Sequence, residues 1–100
     1  MKLKEFKEIF NDDNSDEFLE FEHIERPYSR FQDVHAFILL EVLLPRTIKG
    51  DMITASEHDQ IYLAPDVKKI VKNMTREQAI DLRRCGVLYD EDTDSLFMFT

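Results

Sequence analysis

Apolar and polar positions alternate along this chain in several distinct rhythms, and each rhythm predicts an element. Near the start, Leu3, Phe6, Ile9 and Phe10 recur at helical spacing while Lys4, Lys7 and Glu8 take the other side. Lys2–Phe10 therefore reads as an amphipathic helix. Asn11–Ser15 is rich in turn formers and ends it. In Phe18–Ile24, Leu19, Phe21 and His23 alternate with Glu20 and Glu22, which favours a strand. Ser15 is equally suited to cap a short helix there, so that alternative stays open.

The longest apolar stretch is Asp33–Leu44, DVHAFILLEVLL, closed by Pro45. After Asp33 only His35 and Glu41 interrupt it, and its Leu, Phe and Ala content favours helix over strand. Asp33 is a suitable N-cap, and Pro45 cannot continue the helix. A helix apolar nearly all round is expected to be buried on most sides. The stretch is therefore read as the central core helix, with the other elements packed around it. It is too short to span a bilayer, which takes about 20 apolar residues.

Beyond a loop at Gly50, Met52–Ala55 and Ile61–Leu63 are short apolar pieces flanking Ser56–Gln60. They fit two strands with a turn, or a one-turn helix capped by Ser56 that leads into a strand. Pro65-Asp66 opens a helix with Val67, Ile70, Val71 and Met74 on one face. Thr75 caps the next, with Gln78 at capping-box spacing; Ala79 and Leu82 face inward, and Gly86 is placed to end it. Val87–Tyr89 and Leu96–Phe99 around a polar turn predict a terminal hairpin. The sum is an α+β single domain spanning residues 1–100. About four helices pack on a small, mostly antiparallel sheet with a C-terminal β-hairpin.

Composition changes the picture mainly through charge. The 43% hydrophobic content supports a folded core despite 34% charged residues, and two Gly argue against a loop-rich chain. A single cysteine rules out an internal disulfide and points to a reducing cytoplasm. MKLKEFKEIF has no long apolar segment and does not read as a signal peptide. The net charge of −8 sets the chain against nucleic-acid backbone and anionic membrane, and toward a basic partner.

The negative charge is concentrated. Asn11–Glu25 holds seven carboxylates and no Lys or Arg, among them Asp12, Asp13, Asp16, Glu17, Glu20 and Glu22. Asp90, Glu91, Asp92 and Asp94 surround Thr93. Such rows imitate the spaced charge of a nucleic acid and suit a basic groove on a protein; a solvated surface is the plainer reading. Asp90, Asp92 and Asp94 also open like a calcium-binding EF-hand loop, but Ser95 stands at the glycine position and the chain stops before the bidentate Glu.

Other chemistry is sparser. His58-Asp59 resembles the histidine–aspartate pair of metal phosphohydrolases, and with His35 and Glu57 it makes a metal-dependent hydrolase one rival reading. The rest of that ligand set is missing, so no metal is expected. Cys85 precedes Gly86 at a helix end, where a small buried residue is expected rather than a nucleophile. No P-loop, GxSxG or GxGxxG occurs, and no cofactor is expected. Lys68, Lys69, Lys72, Arg76, Arg83 and Arg84 cluster on the two helices of residues 66–85. Two helices followed by a hairpin resemble a winged helix-turn-helix, which makes a nucleic-acid-binding regulator a second rival. Its wing tip would be Asp90–Asp94, which phosphates repel. The separated charge also suits a homo-dimer, acidic arm to basic helices.

DVHAFILLEVLLP, ASEHDQIYL and RRCGVLYDEDTDSLFMF, which cover most of residues 33–99, resemble small acidic accessory proteins of bacteriophages and prophages. The resemblance implies a non-enzymatic protein that binds a host protein and inhibits or redirects it, a defence nuclease among the possible targets.

Overall fold

The computed structural model describes residues 1–11, 20–44 and 49–99. Among them are four α-helices and a four-stranded antiparallel sheet. Helices α1 (Leu3–Phe10) and α2 (Gln32–Leu43) come first. The hairpin of β1 (Ile53–Glu57) and β2 (Gln60–Leu63) follows. Next are α3 (Val67–Ile70), running on as a 3-10 turn at Val71–Asn73, and α4 (Arg76–Arg84). The hairpin of β3 (Leu88–Asp90) and β4 (Ser95–Phe99) closes the fold.

The two hairpins join through β2 and β4, giving the order β1-β2-β4-β3. Directly opposed residues share a sheet face, so the register separates the two sides. Leu63 opposite Leu96, Ile61 opposite Met98 and Tyr89 opposite Leu96 form the inner face. Tyr62 opposite Phe97, Gln60 opposite Phe99 and Leu88 opposite Phe97 form the outer one. The helices cover the inner face: the Phe6 ring of α1 stacks on Phe10 and meets Tyr89 edge-on at 5.6 Å. Phe6, Leu40, Ile70, Leu82, Val87 and Leu96 are fully buried in one core.

Helix α4 owes its limits to local chemistry. Thr75 Oγ1 accepts from the Gln78 N–H at 3.1 Å, and Gln78 Oε1 accepts from the Thr75 N–H at 2.9 Å, a complete capping box. At the other end the Gly86 N–H donates to the Arg83 carbonyl and the Val87 N–H to the Leu82 carbonyl. That is the Schellman arrangement; Gly86 stands at φ +87°, and Val87 and Leu82, at the two positions where the motif is commonly apolar, are both fully buried. Asp66 likewise caps α3, accepting from the Lys68 N–H at 3.0 Å.

Helix α2 departs from expectation. It begins at Gln32 with Phe31 at the cap position, and no side chain caps it. Asp33 lies inside the first turn, where its carboxylate accepts from the neighbouring Val34 N–H at 2.9 Å. It still favours the helix there through the positive end of the helix dipole. Nor is α2 buried on most sides: Ala36, Leu39, Leu40 and Leu43 enter the core, whereas Val34, Glu41 and Val42 are exposed. The hub of the helical layer is α4, which packs against α1, α2 and the turn at Phe21–His23.

Of the strand expected over Phe18–Ile24, none is found among the described residues. Phe18 and Leu19 lie outside the described residues, and Phe21–His23 is a 3-10 turn. The His23 N–H donates to the Glu20 carbonyl and the Ile24 N–H to the Phe21 carbonyl, each at 3.0 Å. With its backbone donors used locally and only Ile24 buried, the segment offers nothing to a sheet. The Ser56-capped helix is also absent: Ser56 pairs with Ile61 inside the β1–β2 hairpin.

Candidate functional site

The acidic turn between β3 and β4 is the best-defined of the sequence-predicted features. Asp90 pairs with Ser95, so Glu91–Asp94 form the loop. Asp90 Oδ1 accepts from the Asp92 N–H at 3.0 Å, an Asx-turn that folds the chain back on itself. Asp94 adopts φ +53°, a left-handed conformation that Asp tolerates better than most residues, and its carboxylate accepts from the Tyr89 hydroxyl. Burial first, then the Asp94 bond and the nearby charges of Glu91 and Asp90, push the Tyr89 phenol up to about 12. Asp90 and Asp94 thus shape the turn. The side chains of Glu91 and Asp92 are exposed and make no hydrogen bond or ion pair among the described residues.

The other acidic group is only partly described. Asp12, Asp13, Asp16 and Glu17 lie outside the described residues. Glu20 and Glu22 are exposed, at the entry to and inside the 3-10 turn that packs on α4. No hydrogen bond or ion pair among the described residues joins them to the Asp90–Asp94 turn.

The histidines go to unlike places. His58 and Asp59 form the exposed two-residue tip of the β1–β2 hairpin, with His58 at φ +54°. His35 is buried on α2, only 3% exposed. Its Nδ1 accepts from the Tyr28 N–H at 2.9 Å and the Tyr28 ring stacks on it, so the ring proton sits on Nε2, which has no partner among the described residues. Burial lowers the His35 pKa, opposed by the negative charge of Asp81. No group of three metal-ligating side chains comes together among the described residues. Cys85 is buried, and burial pushes its thiol up to about 12, with Asp81 adding to the shift. It is a protonated core residue, not a thiolate nucleophile.

The basic helices are partly committed to the fold. Arg84 bridges Glu77 and Asp81 at 2.8 Å each, Arg83 donates to the Ile9 carbonyl at 2.9 Å, and Arg76 approaches Glu5 at 3.6 Å. Lys68, Lys69 and Lys72 are exposed. No helix among the described residues is long and apolar enough to cross a membrane.

Two apolar surfaces escape a reading of the sequence. One is the outer sheet face, where Tyr62 lies 6.0 Å from Phe97, and Phe97 lies 5.7 Å from Phe99. Its signal is the aromatic run of β4, in which alternate residues must point away from the core. The other is the free side of α2. Its signal is the near absence of polar residues in Asp33–Leu44, which one core cannot fully bury. No protein-family model, curated protein or solved structure matches the chain.

Proposed function

We propose that this chain is a non-enzymatic binding protein of the small acidic phage or prophage type. On this reading it acts by stoichiometric contact with a basic surface on a host protein, a defence nuclease being the kind of target such charge would suit. The observation that carries the reading is the Asp90–Asp94 turn. It presents Glu91 and Asp92 to solvent on a tip whose shape Asp90, Asp94 and Tyr89 fix. A fixed array of like charges gains little for the fold, whereas it raises the rate of meeting a basic surface and sets the register of contact. Glu20 and Glu22, and the sequence run through Asp12, Asp13, Asp16 and Glu17, extend the negative character.

The basic-helix alternative is the weaker one, because Arg76, Arg83 and Arg84 are occupied by contacts within the molecule. The test is capture from a bacterial lysate by the intact protein and by a variant carrying Glu91→Gln and Asp92→Asn. These substitutions remove charge and leave the turn's hydrogen bonds in place. Capture of a protein that weakens in the variant and with added salt supports the proposal. Equal capture by both forms at both salt concentrations rejects it.

A further inference from the structure

Large apolar side chains on a protein surface are ordinary when scattered and informative when gathered. Here they are gathered. Of the six exposed large apolar side chains among the described residues, Tyr28, Phe31, Val34 and Val42 lie on α2 or on the segment leading into it. Their exposures are 56%, 56%, 38% and 58%. At about 100° per residue, Val34, Ile38 and Glu41 fall on one strip of α2, bordered by Phe37 and Val42. The strip lies opposite the buried Ala36, Leu39, Leu40 and Leu43, and Phe37 and Ile38 are only half-buried. One polar residue, Glu41, interrupts it.

We propose that the free face of α2 is the contact between two copies of this chain, packed antiparallel about a two-fold axis that passes between Val34 and Ile38. Charge selects that arrangement. The strip carries Glu41 near its C-terminal end and Arg30 just before its N-terminal end, both exposed. With the axis between Val34 and Ile38, Val34 of one copy faces Ile38 of the other, and Glu41 comes level with Phe31 beside Arg30 of the second copy. Arg30 already lies over the exposed Phe31 ring, 5.0 Å from its centre, at the residue that precedes α2. A parallel pair would set Glu41 against Glu41 and Asp33 against Asp33. A symmetric interface must be complementary to itself, and the antiparallel register is.

The exposed apolar surface here is on the order of 400 Å², about half of what each partner contributes to a standard interface. The dimer is accordingly a weak one, in the micromolar range or above. This inference does not depend on the acidic turn, and it uses a different surface from an association of acidic arm with basic helices.

Sedimentation equilibrium of the full chain tests it, from about 5 to about 500 µM, a span chosen for a weak interface. The average mass should climb toward twice that of one chain and stay raised in high salt, because the contact is mainly apolar. Val34→Ser with Val42→Ser should keep the protein monomeric over that range while its circular dichroism is unchanged. Glu41→Arg should weaken association about tenfold, by setting two arginines together, and Arg30→Glu added to Glu41→Arg should restore it. A monomer at every concentration overturns the proposal. So does a dimer that ignores the two valine substitutions, or one that dissolves in salt. If Glu41→Arg has no effect, the antiparallel register is wrong.

Discussion

Helices α2 and α4 pack against each other and differ in almost every respect. Helix α4 is closed at both ends by named hydrogen bonds and has one buried face, through Ala79 and Leu82. Helix α2 has no side-chain cap and is apolar around most of its circumference. The first is specified by short-range chemistry, which any short segment carries with it. The second is specified by what it packs against. A helix with apolar residues on every side has no preferred direction of its own, and α4 supplies one.

The contrast is sharpest in the side chains of α2 itself. Leu40→Ala removes a fully buried side chain and should cost about 2–5 kcal/mol in denaturant unfolding. Val42→Ala, two residues on but on the free face, should stay within about 0.5 kcal/mol at concentrations low enough to keep the chain monomeric. Equal losses would mean that the two faces of α2 are not distinguished as described.

At the C-terminal end of α4, Gly86 offers a purely backbone test. No atom lies within 4 Å of where a Cβ would stand, so Gly86→Ala meets strain from φ +87° alone. The expected loss is about 1–2 kcal/mol, and a smaller one for Gly86→Asn. If Gly86→Ala is neutral, the left-handed cap is not what ends α4.

The N-termini give the next comparison. Thr75→Ala breaks the capping box and should cost about 1 kcal/mol, whereas Asp33→Ala on α2 removes a first-turn charge with its exposed bond to the Val34 N–H, worth about 0.3–1 kcal/mol and largely screened by salt. Thermal unfolding at high and low ionic strength separates the two. A salt-independent loss at Asp33 as large as that at Thr75 would restore Asp33 as a cap.

The final test is read as a slope against pH. His35 is held neutral, because a proton added at Nδ1 would displace the Tyr28 N–H from its acceptor. Its folded pKa lies below the ordinary 6.5, so below that pH the unfolded chain takes up more protons than the folded one. Stability from this group should be complete above about pH 6.5 and fall as the pH drops toward the lowered folded value. The fall should be smaller in His35→Asn. Parallel stability curves for the two proteins would show that His35 does not contribute it.

Much of this molecule is legible from the residues in order. The caps at Asp66 and Thr75, the stop at Gly86, the amphipathic α1 and the terminal hairpin follow from spacing and side-chain type, since each rests on contacts within a few residues. So does the acidic turn, where Asp90 and Asp94 bond to near neighbours. Tertiary structure decided the rest. Alternation in Phe18–Ile24 suited a strand, but a strand needs a partner edge, and the Phe21–His23 part of it lies as a 3-10 turn against α4. The positive charges on residues 66–85 read as one patch until folding brought Glu5 to Arg76 and the Ile9 carbonyl to Arg83. Above all, Asp33–Leu44 announced a helix with more apolar surface than one small core can cover. Which side it buries, and which it leaves for something else, depends on where α4 stands, and that is set by contacts distant in sequence.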